Sequence, residues 1–575
     1  NPVDVDHDEV VTFNDFSLFA QDWQKTEYLL DTDFDLNGIV DINDLMQLSD
    51  WWLWQQGPII EVSKMLFSPV GYEAGPNPES DTLTISNSGK GILNWSIDLT
   101  DKPAWLIVSP TSGSVEEGQT EDVTLQYDIT GLSIGGYSYT FDVSDPLAIN
   151  SPREITVHLG IGNLINVPGD VASIQAAIDL VSQNGTIIVS PGTYYENILF
   201  PGRDFILTST NPEDPNIVDS TIIDGMNNGR VITMAGSETS SCQIRGFTVT
   251  HGYTSNYAGG GLYGNAAQAA IEYCKIINNT SANGNNGGGL SLCDGAISNC
   301  TISDNTARLG GGLSYCDGAI SYCTISGNTA VDSGYGIGGG LWRCNAVITN
   351  CTISGNTTDY HGGGLDQCNG RITNCMITGN TANYGGGFAY CDGSITNCMI
   401  TGNTAHGSGG GLYYCGGWIT NCTIAGNTAH YNGGGLHNYD GSITNCTITG
   451  NTAQDHGGGL YYSNGSITNC IIWSNISWQH AQLAGSSTPT YSCIQDWTGG
   501  GTGNIISNPM FTNTASPDPS LWDLHLLPAS PCIDTGTNTP PGGLPATDIE
   551  GNPRTIDGDS NGSAIVDMGA YEYVP

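Results

Sequence analysis

Residues 433–453, GGGLHNYDGSITNCTITGNTA, hold in one unit the pattern that decides the fold. In Cys446-Thr447-Ile448-Thr449 the cysteine and isoleucine point one way and the threonines the other, which is the two-residue period of a strand. Such a piece is too short to bury a face alone, and glycine and asparagine interrupt it on both sides. The unit recurs. A Gly-Gly-Gly-Leu element, once Gly-Gly-Gly-Phe, begins at Gly259, Gly287, Gly310, Gly338, Gly362, Gly385, Gly409, Gly433 and Gly457, at intervals of 23 to 28 residues. Self-similarity at that period marks a solenoid whose turns bury a common core only by stacking. Three short strands per turn, joined by Gly and Asn corners, predict a right-handed parallel β-helix over residues 163–575.

The other columns of the repeat agree. Asn precedes a periodic cysteine at Asn299, Asn350, Asn374, Asn397, Asn421, Asn445 and Asn469, and a second Asn follows that cysteine by five residues from Asn305 to Asn451. Asparagine tolerates the left-handed backbone of a sharp corner, and its amide can bond its counterparts in adjacent turns. Of 18 cysteines, nine form one column (Cys274 to Cys470) and six another (Cys293 to Cys415), with no C-x-x-C spacing of a zinc or redox motif. Stacked thiols in a core are expected, and disulfides between turns are the alternative, since adjacent strands lie within bridging reach.

Whole-chain composition sets the setting. The 575 residues carry 13 Lys+Arg against 56 Asp+Glu, a formal charge of -43. That field opposes nucleic acid and anionic membranes, which need basic patches, and suits divalent cations. No stretch approaches the ~20 apolar residues of a membrane span. The expected location is extracellular, at the cell surface, after removal of a signal peptide.

Residues 173–183 begin SIQAAIDL, an amphipathic helix with Ser173 as N-cap, placed to cover the first turn. This entry resembles the start of pectate-lyase-like β-helix proteins. Toward the other end, Ser530-Pro-Cys-Ile-Asp-Thr-Gly536, Asp548-Ile-Glu-Gly-Asn-Pro-Arg554 and Asp567-Met-Gly-Ala-Tyr-Glu572 resemble the closing segment (about 495–575) of bacterial surface β-helix proteins. The GGGL and TISGNTA repeats resemble those of polymorphic outer-membrane adhesins. These resemblances imply fold more than activity, because β-helices host both lyases and inert surface proteins.

Residues 1–57 carry two loops with calcium-ligand spacing. In one, Asp33, Asp35, Asn37, Ile39 (by its carbonyl), Asp41 and Asp44 fall at the ligand positions, with Gly38 at the turn. In the other, Asp4, Asp6, Asp8, Val10 (by its carbonyl), Thr12 and Asp15 do so, with Glu9 replacing the turn glycine. Each leads into an apolar helix-like run. The pair resembles a dockerin, which implies a small α-helical calcium-binding module that docks on another protein, either a cohesin-like partner or another copy of this chain. Residues 58–162 alternate like a β-sandwich. Asn94-Trp95-Ser96, Trp105 to Pro110 with Gly113, and Gly136-Tyr137 resemble a BACON-like, immunoglobulin-type domain, with Trp95 and Trp105 expected in its core. Asp557-x-Asp559-x-Asn561-Gly562 opens like a further calcium loop, but Ile565 and Met568 occupy its later positions.

Near-identical turns favour a structural or adhesive surface protein over an enzyme, since a catalytic cleft usually breaks a repeat. Head-to-tail contacts between unlike ends would build filaments. The alternative is a polysaccharide lyase or glycoside hydrolase acting on an acidic polysaccharide. Lyases of this kind need a Lys or Arg base, and Lys275, Arg308, Arg343 and Arg371 fall at different places in their repeats. His361, His406, His430, His437 and His456 near the glycine corners read as solvated turn residues. The Thr and Ser column from Thr301 to Thr447 would stack outward as in ice-binding solenoids, but Met376, Met399, Ala425, Ile471 and Trp473 interrupt it.

Overall fold

A computed structural model describes residues 57–575 except 74, 75, 256, 283–285 and 333, together with Val40 and Asp44. The chain divides into two compact units, Asn1–Asn163 and Leu164–Pro575.

In the first unit, Ile60–Val62, Asp81–Asn87, Thr120–Tyr127 and Leu106–Ser109 pair in that order as one antiparallel sheet. A second sheet runs Leu66–Phe67, Arg153–Gly162, Gly135–Ser144, Leu93–Asp98 and Ser112–Val115, with Val70–Tyr72 also on Arg153–Gly162. Burial alternates along the strands, as in Leu93–Asp98, where Leu93, Trp95 and Ile97 point inward. Trp95 and Trp105 both lie in the shared core. The Trp95 indole nitrogen donates to Glu121 Oε2 at 3.0 Å, so its burial leaves no polar atom unpaired.

The second unit is a parallel β-solenoid of four in-register sheets. Sheet 1 has 13 strands, from Leu164–Val167 to Ile467–Thr468, and sheet 2 has 13, from Gly192–Tyr195 to Cys493–Ile494. Sheet 3 has 12, from Ile198–Leu199 to Leu483–Ala484, and sheet 4 has nine, from Tyr253–Thr254 to Thr452–Ala453. A regular turn therefore carries four short strands, not the expected three: Ile443–Thr444, Thr447–Thr449, Thr452–Ala453 and Leu460–Tyr461. The extra one is the Thr-Ala pair after the second asparagine, where the chain bends again before the glycines. Helix α1 (Ile174–Leu180) forms as expected: Ser173 Oγ accepts from Ala176 N at 3.2 Å, and Ile174, Ala177 and Ile178 enter the solenoid core.

Each repeated residue type answers a close contact between turns. Gly433 has φ +63, and a Cβ there would come within 2.7 Å of the His437 Cβ. A Cβ on Gly434 would lie 2.5 Å from the Gly458 carbonyl oxygen, and one on Gly435 2.6 Å from that of Gly459. Three consecutive glycines are thus required by the backbone of the next turn and by the side chain four residues on. The asparagine before the cysteine is left-handed throughout, with φ near +53. The second asparagine is not: the residue before it takes that role, as Gly379, Gly402 and Gly426 show.

That second column is instead an internal amide ladder. Asn380 donates from its backbone N (3.0 Å) and its Nδ2 (2.9 Å) to Asn403 Oδ1, and Nδ2 also reaches the Ile353 carbonyl at 2.9 Å. Asn403 repeats this toward Asn427. The pattern runs from Asn279 to Asn475, so each buried amide uses both donors and its acceptor. All 18 cysteines are free and buried. In the two columns sulfurs stack between turns and most accept a backbone N–H from the turn before, Cys375 N to Cys398 Sγ at 3.4 Å for example.

Asn403→Ala removes the acceptor of two buried donors and is expected to lower stability by roughly 2–4 kcal/mol, seen as faster hydrogen exchange around Asn380 and a lower unfolding midpoint. Burial pushes the Cys242 thiol up to about 12. A thiol-specific reagent is expected to leave the native chain unlabelled and to label 18 sites after denaturation.

Candidate functional site

The expected calcium ligands Asp4, Asp6, Asp8, Val10, Thr12, Asp15, Asp33, Asp35, Asn37, Ile39 and Asp41 lie outside the described residues. Asp44 is described, as a buried helical residue. Among the described residues one acidic group could share a cation. Asp534, Asp557 and Asp559 offer carboxylate oxygens within 4.8 Å of one another. Asp534 comes from outside the motif legible in the sequence, and it accepts backbone N–H groups of Asp559 (2.7 Å) and Ile565 (3.3 Å).

The densest chemistry lies on sheet 3. Its leucine column points into the core, so the following residue of each strand points out. In register these are Trp342, Asp366, Ala389, Tyr413, His437 and Tyr461. On one side runs a left-handed corner row containing Arg343, Gln367, Tyr390, Tyr414 and Tyr462. On the other lie the residues before the glycines, with His361 beside Tyr384 and Asn432 beside His456. Rings from the three rows join. Centroids lie 5.1 Å apart for His361 and Tyr390, 5.8 Å for Tyr390 and Tyr413, 5.2 Å for Tyr413 and His437, and 5.1 Å for His437 and Tyr461. Tyr360 stacks on His361 at 3.7 Å, and Tyr414 and Tyr462 flank the stripe half exposed.

Four side chains in this stripe, Trp342, Asp366, Asn432 and His437, hold buried polar atoms without a hydrogen-bond partner. Asp366 is 0% exposed and neither carboxylate oxygen has a hydrogen-bond partner. Burial pushes its carboxyl well up, against the opposing pull of Arg343. Trp342, 6% exposed, has an unpaired Nε1, while the Arg343 guanidinium sits 4.9 Å from its ring and donates to Gln367 Oε1 at 2.7 Å. His361 and His437 were expected in solvent, but His437 is buried and His361 half-buried, and burial brings each down to about 4. They are neutral at pH 7, and among the described residues they belong to no group able to share a metal ion. His406 and His430 are exposed, as expected.

The candidate lyase bases are scattered. Lys275 pairs with Asp219, Arg308 Nε lies 2.8 Å from Asp332, Arg343 is held in the aromatic stripe, and Arg371 is exposed.

The outward Thr column on sheet 2 meets a different fate. The C-terminal segment does not simply follow the last turn but lies back along this sheet. Asn469 exchanges hydrogen bonds with Thr537 (2.8 and 2.9 Å), and Ala570 N donates to Thr447 Oγ1 at 3.0 Å. Ala425 packs with Leu524, Ala570 and Tyr571, while Ile471 packs with Leu526, Ile533 and Met568. Thr423, Thr447 and Thr449 are consequently buried. The fully buried Arg554 fastens the segment: its Nη2 donates to Asn421 Oδ1 (2.8 Å) and to the Gly569 and Ala570 carbonyls (3.0 and 2.9 Å). Glu572, 3.4 Å from Arg554 Nη1, and Asp567 are buried beside it.

Two family descriptions match parts of the chain: "Viral BACON domain" over residues 66–158 and "Right handed beta helix region" over residues 343–476. The second unit is thus a parallel β-helix repeat solenoid, and the first contains a BACON domain. No curated protein matches the chain. Among solved structures, it is similar to the ASH / PapD-like domain of human CEP192, at 16% identity over 19% of this chain and 88% of that one, with a TM-score of 0.16. A C. elegans MSP family member matches at 12% identity, 18% and 97% coverage, and a TM-score of 0.14. A protein of unknown function from Porphyromonas gingivalis matches at 8% identity, 23% and 58% coverage, and a TM-score of 0.14. Likenesses at this level define neither fold nor function.

Burial raises Asp567 to about 7 and Glu572 to about 8, from 3.8 and 4.5. The folded state therefore binds more protons than the unfolded one between those limits, and stability falls as pH rises from about 4 to about 8. Thermal unfolding across that range is expected to show this slope. Glu572→Gln can turn its amide oxygen to the Arg554 Nη1 and Asp567 N donors and is expected to reduce the slope, leaving the part that belongs to Asp567.

Proposed function

We propose that this chain is an extracellular structural or adhesive surface protein: a solenoid that displays surface, a BACON-type spacer, and an N-terminal dockerin-like module that docks through calcium. The observation that carries this reading is the unbroken amide ladder from Asn279 to Asn475. Among the described residues the same ladder bonds recur in turn after turn, the regularity of a displayed surface. The dispersal of Lys275, Arg308, Arg343 and Arg371 over different places in their repeats speaks against the lyase alternative, and the first three are engaged by other groups. The closing segment and the repeat motifs resemble those of bacterial surface proteins, which supports cell-surface placement.

Under this reading Asp4, Asp6, Asp8, Thr12 and Asp15, and Asp33, Asp35, Asn37, Asp41 and Asp44, hold calcium together with the Val10 and Ile39 carbonyls. The partner is a cohesin-like protein or another copy of the chain, and a repeated unlike-end contact that does not close gives a filament.

Electron microscopy of the full chain in millimolar calcium is expected to show end-to-end assemblies that disperse on chelation. Single particles in both conditions, with no unsaturated product from a uronan, would rule out self-assembly and leave a foreign docking partner. Release of such product would overturn the structural reading.

A further inference from the structure

The two cysteine columns set thiol above thiol, yet no bond joins them: all 18 cysteines are free. Backbone N–H groups engage these sulfurs, as at Cys398 and Cys415. The phenols of the aromatic stripe are another group able to form a covalent link between turns, and five of them meet. Tyr360, Tyr384, Tyr390, Tyr413 and Tyr414 come from three successive turns. Ring centroids lie 6.1 Å apart for Tyr360 and Tyr384, 5.1 Å for Tyr384 and Tyr413, and 4.7 Å for Tyr413 and Tyr414. The hydroxyl ends converge as well. Burial raises the Tyr413 phenol, and the phenols of Tyr390, Tyr414, Tyr384 and Tyr360 raise it further. Packing calls for rings but not for hydroxyls. Phenylalanine, which Phe388 supplies to the core of the same region, is absent from this cluster.

One pair is set for coupling. Tyr390 and Tyr414 hold the same place in successive turns of the left-handed corner row, with Gln367 before them and Asn438 after. Their backbones agree, at φ +52 and +51, so the two side chains leave in the same direction. The rings stack at 5.7 Å and 25°, and the carbons beside the two hydroxyls face across a single turn. Tyr414 is 46% exposed and Tyr390 half-buried, so an oxidant in solvent reaches the pair without opening the fold. Two reacting groups held this way couple as one molecule instead of waiting for an encounter.

We propose that Tyr390 and Tyr414 form an oxidative modification site, joined by a one-electron oxidant of the peroxidase class into a dityrosine that bonds one turn to the next. Each phenol gives up one electron and one proton. The two phenoxyl radicals form a carbon–carbon bond beside their oxygens, and the hydrogens on the bonded carbons move to the oxygens as the phenols re-form. The two electrons and two protons released reduce hydrogen peroxide to two waters. The link supplies between turns the covalent bond that the thiols do not, and it closes a loop that restricts the unfolded chain.

The test treats the full chain with a haem peroxidase and hydrogen peroxide, at a dilution that disfavours contact between copies. The product is denatured, its thiols are alkylated, and it is cut before each aspartate. Cleavage at Asp366, Asp392 and Asp440 places Tyr384 and Tyr390 in one peptide and Tyr413 and Tyr414 in the next. These two peptides are expected as one fluorescent species, two hydrogens lighter than their sum, from monomeric protein. Tyr390→Phe and Tyr414→Phe keep the rings and are expected to fold as wild type while each lowers the yield of that species about tenfold or more. Tyr431→Phe changes another exposed ring of the second peptide and is expected to leave the yield unchanged. Oxidation is expected to raise the unfolding temperature of wild type but not of Tyr414→Phe. A linked species that survives Tyr414→Phe, coupling only between copies, or oxidation that yields no linked pair overturns the proposal. Calcium and the N-terminal module take no part in the readout, so failure of the docking reading leaves this result standing.

Discussion

The structure depends on one constraint: successive turns lie a single strand spacing apart, in register, with every chemical feature directly above its own copy. At that distance any group that fails to satisfy itself fails in every turn. Glycine stands where backbone meets backbone, since the Gly458 carbonyl leaves no room for a Cβ on Gly434. Asparagine stands where a buried polar group must bond upward and downward at once, as Asn403 does between Asn380 and Asn427. Isoleucine, leucine and cysteine fill the interior because each packs on an identical neighbour.

A regular stack solves its interior but leaves long, uniform outer faces, and the two best-defined faces are used differently. Sheet 2 is covered by the chain itself. Ala425 and Ile471 replace polar residues where Tyr571 and Met568 come down, and Arg554 reaches through to Asn421 to hold the cover in place. Among the hydrogen bonds and core clusters of the described residues that hold this cover, none involves sheet 3. Its glycines keep space above the outward column, and large rings with a buried carboxylate fill that space. The same glycine that lets turns approach also makes room for the aromatic side chains, so backbone packing and surface chemistry are set by one residue.

Much of this was legible in the repeats. The alternation in Cys446–Thr449, the leucine column and the asparagine ladder follow from patterns of period two within a turn and about 24 between turns. What sequence reasoning missed had weaker local signals. The Thr-Ala strand is two residues long and carries no alternation of its own. The left-handed residue near the ladder was assigned to asparagine rather than to Gly379, Gly402 or Gly426, because both types favour that backbone and only ladder bonding separates them. The histidines were noticed, but neutral, buried rings such as His437 depend on neighbours in adjacent turns. The stripe itself could have been found by aligning the residue after each Gly-Gly-Gly-Leu, which changes from Ser314 to Trp342 and later to Tyr413 and Tyr461. The apolar interruptions at Ala425, Ile471 and Trp473 were the signal for the C-terminal cover and were read only as defects in a threonine array. The N-terminal calcium ligands rest on spacing alone.

The C-terminal cover has a consequence for how such a chain can change length. Its anchors, Asn421, Asn445, Thr447 and Asn469, belong to consecutive late turns, while the turns before Met376 make no contact of this kind among the hydrogen bonds described. A whole turn gained or lost among the earlier repeats therefore shifts the covered block without altering any of its contacts. The same event within the late turns breaks the fit between Arg554 and its asparagines. Tandem duplication and deletion, the easiest genetic changes in a repetitive gene, are accordingly confined to one part of the solenoid, and its length there is free to drift while its end stays fixed.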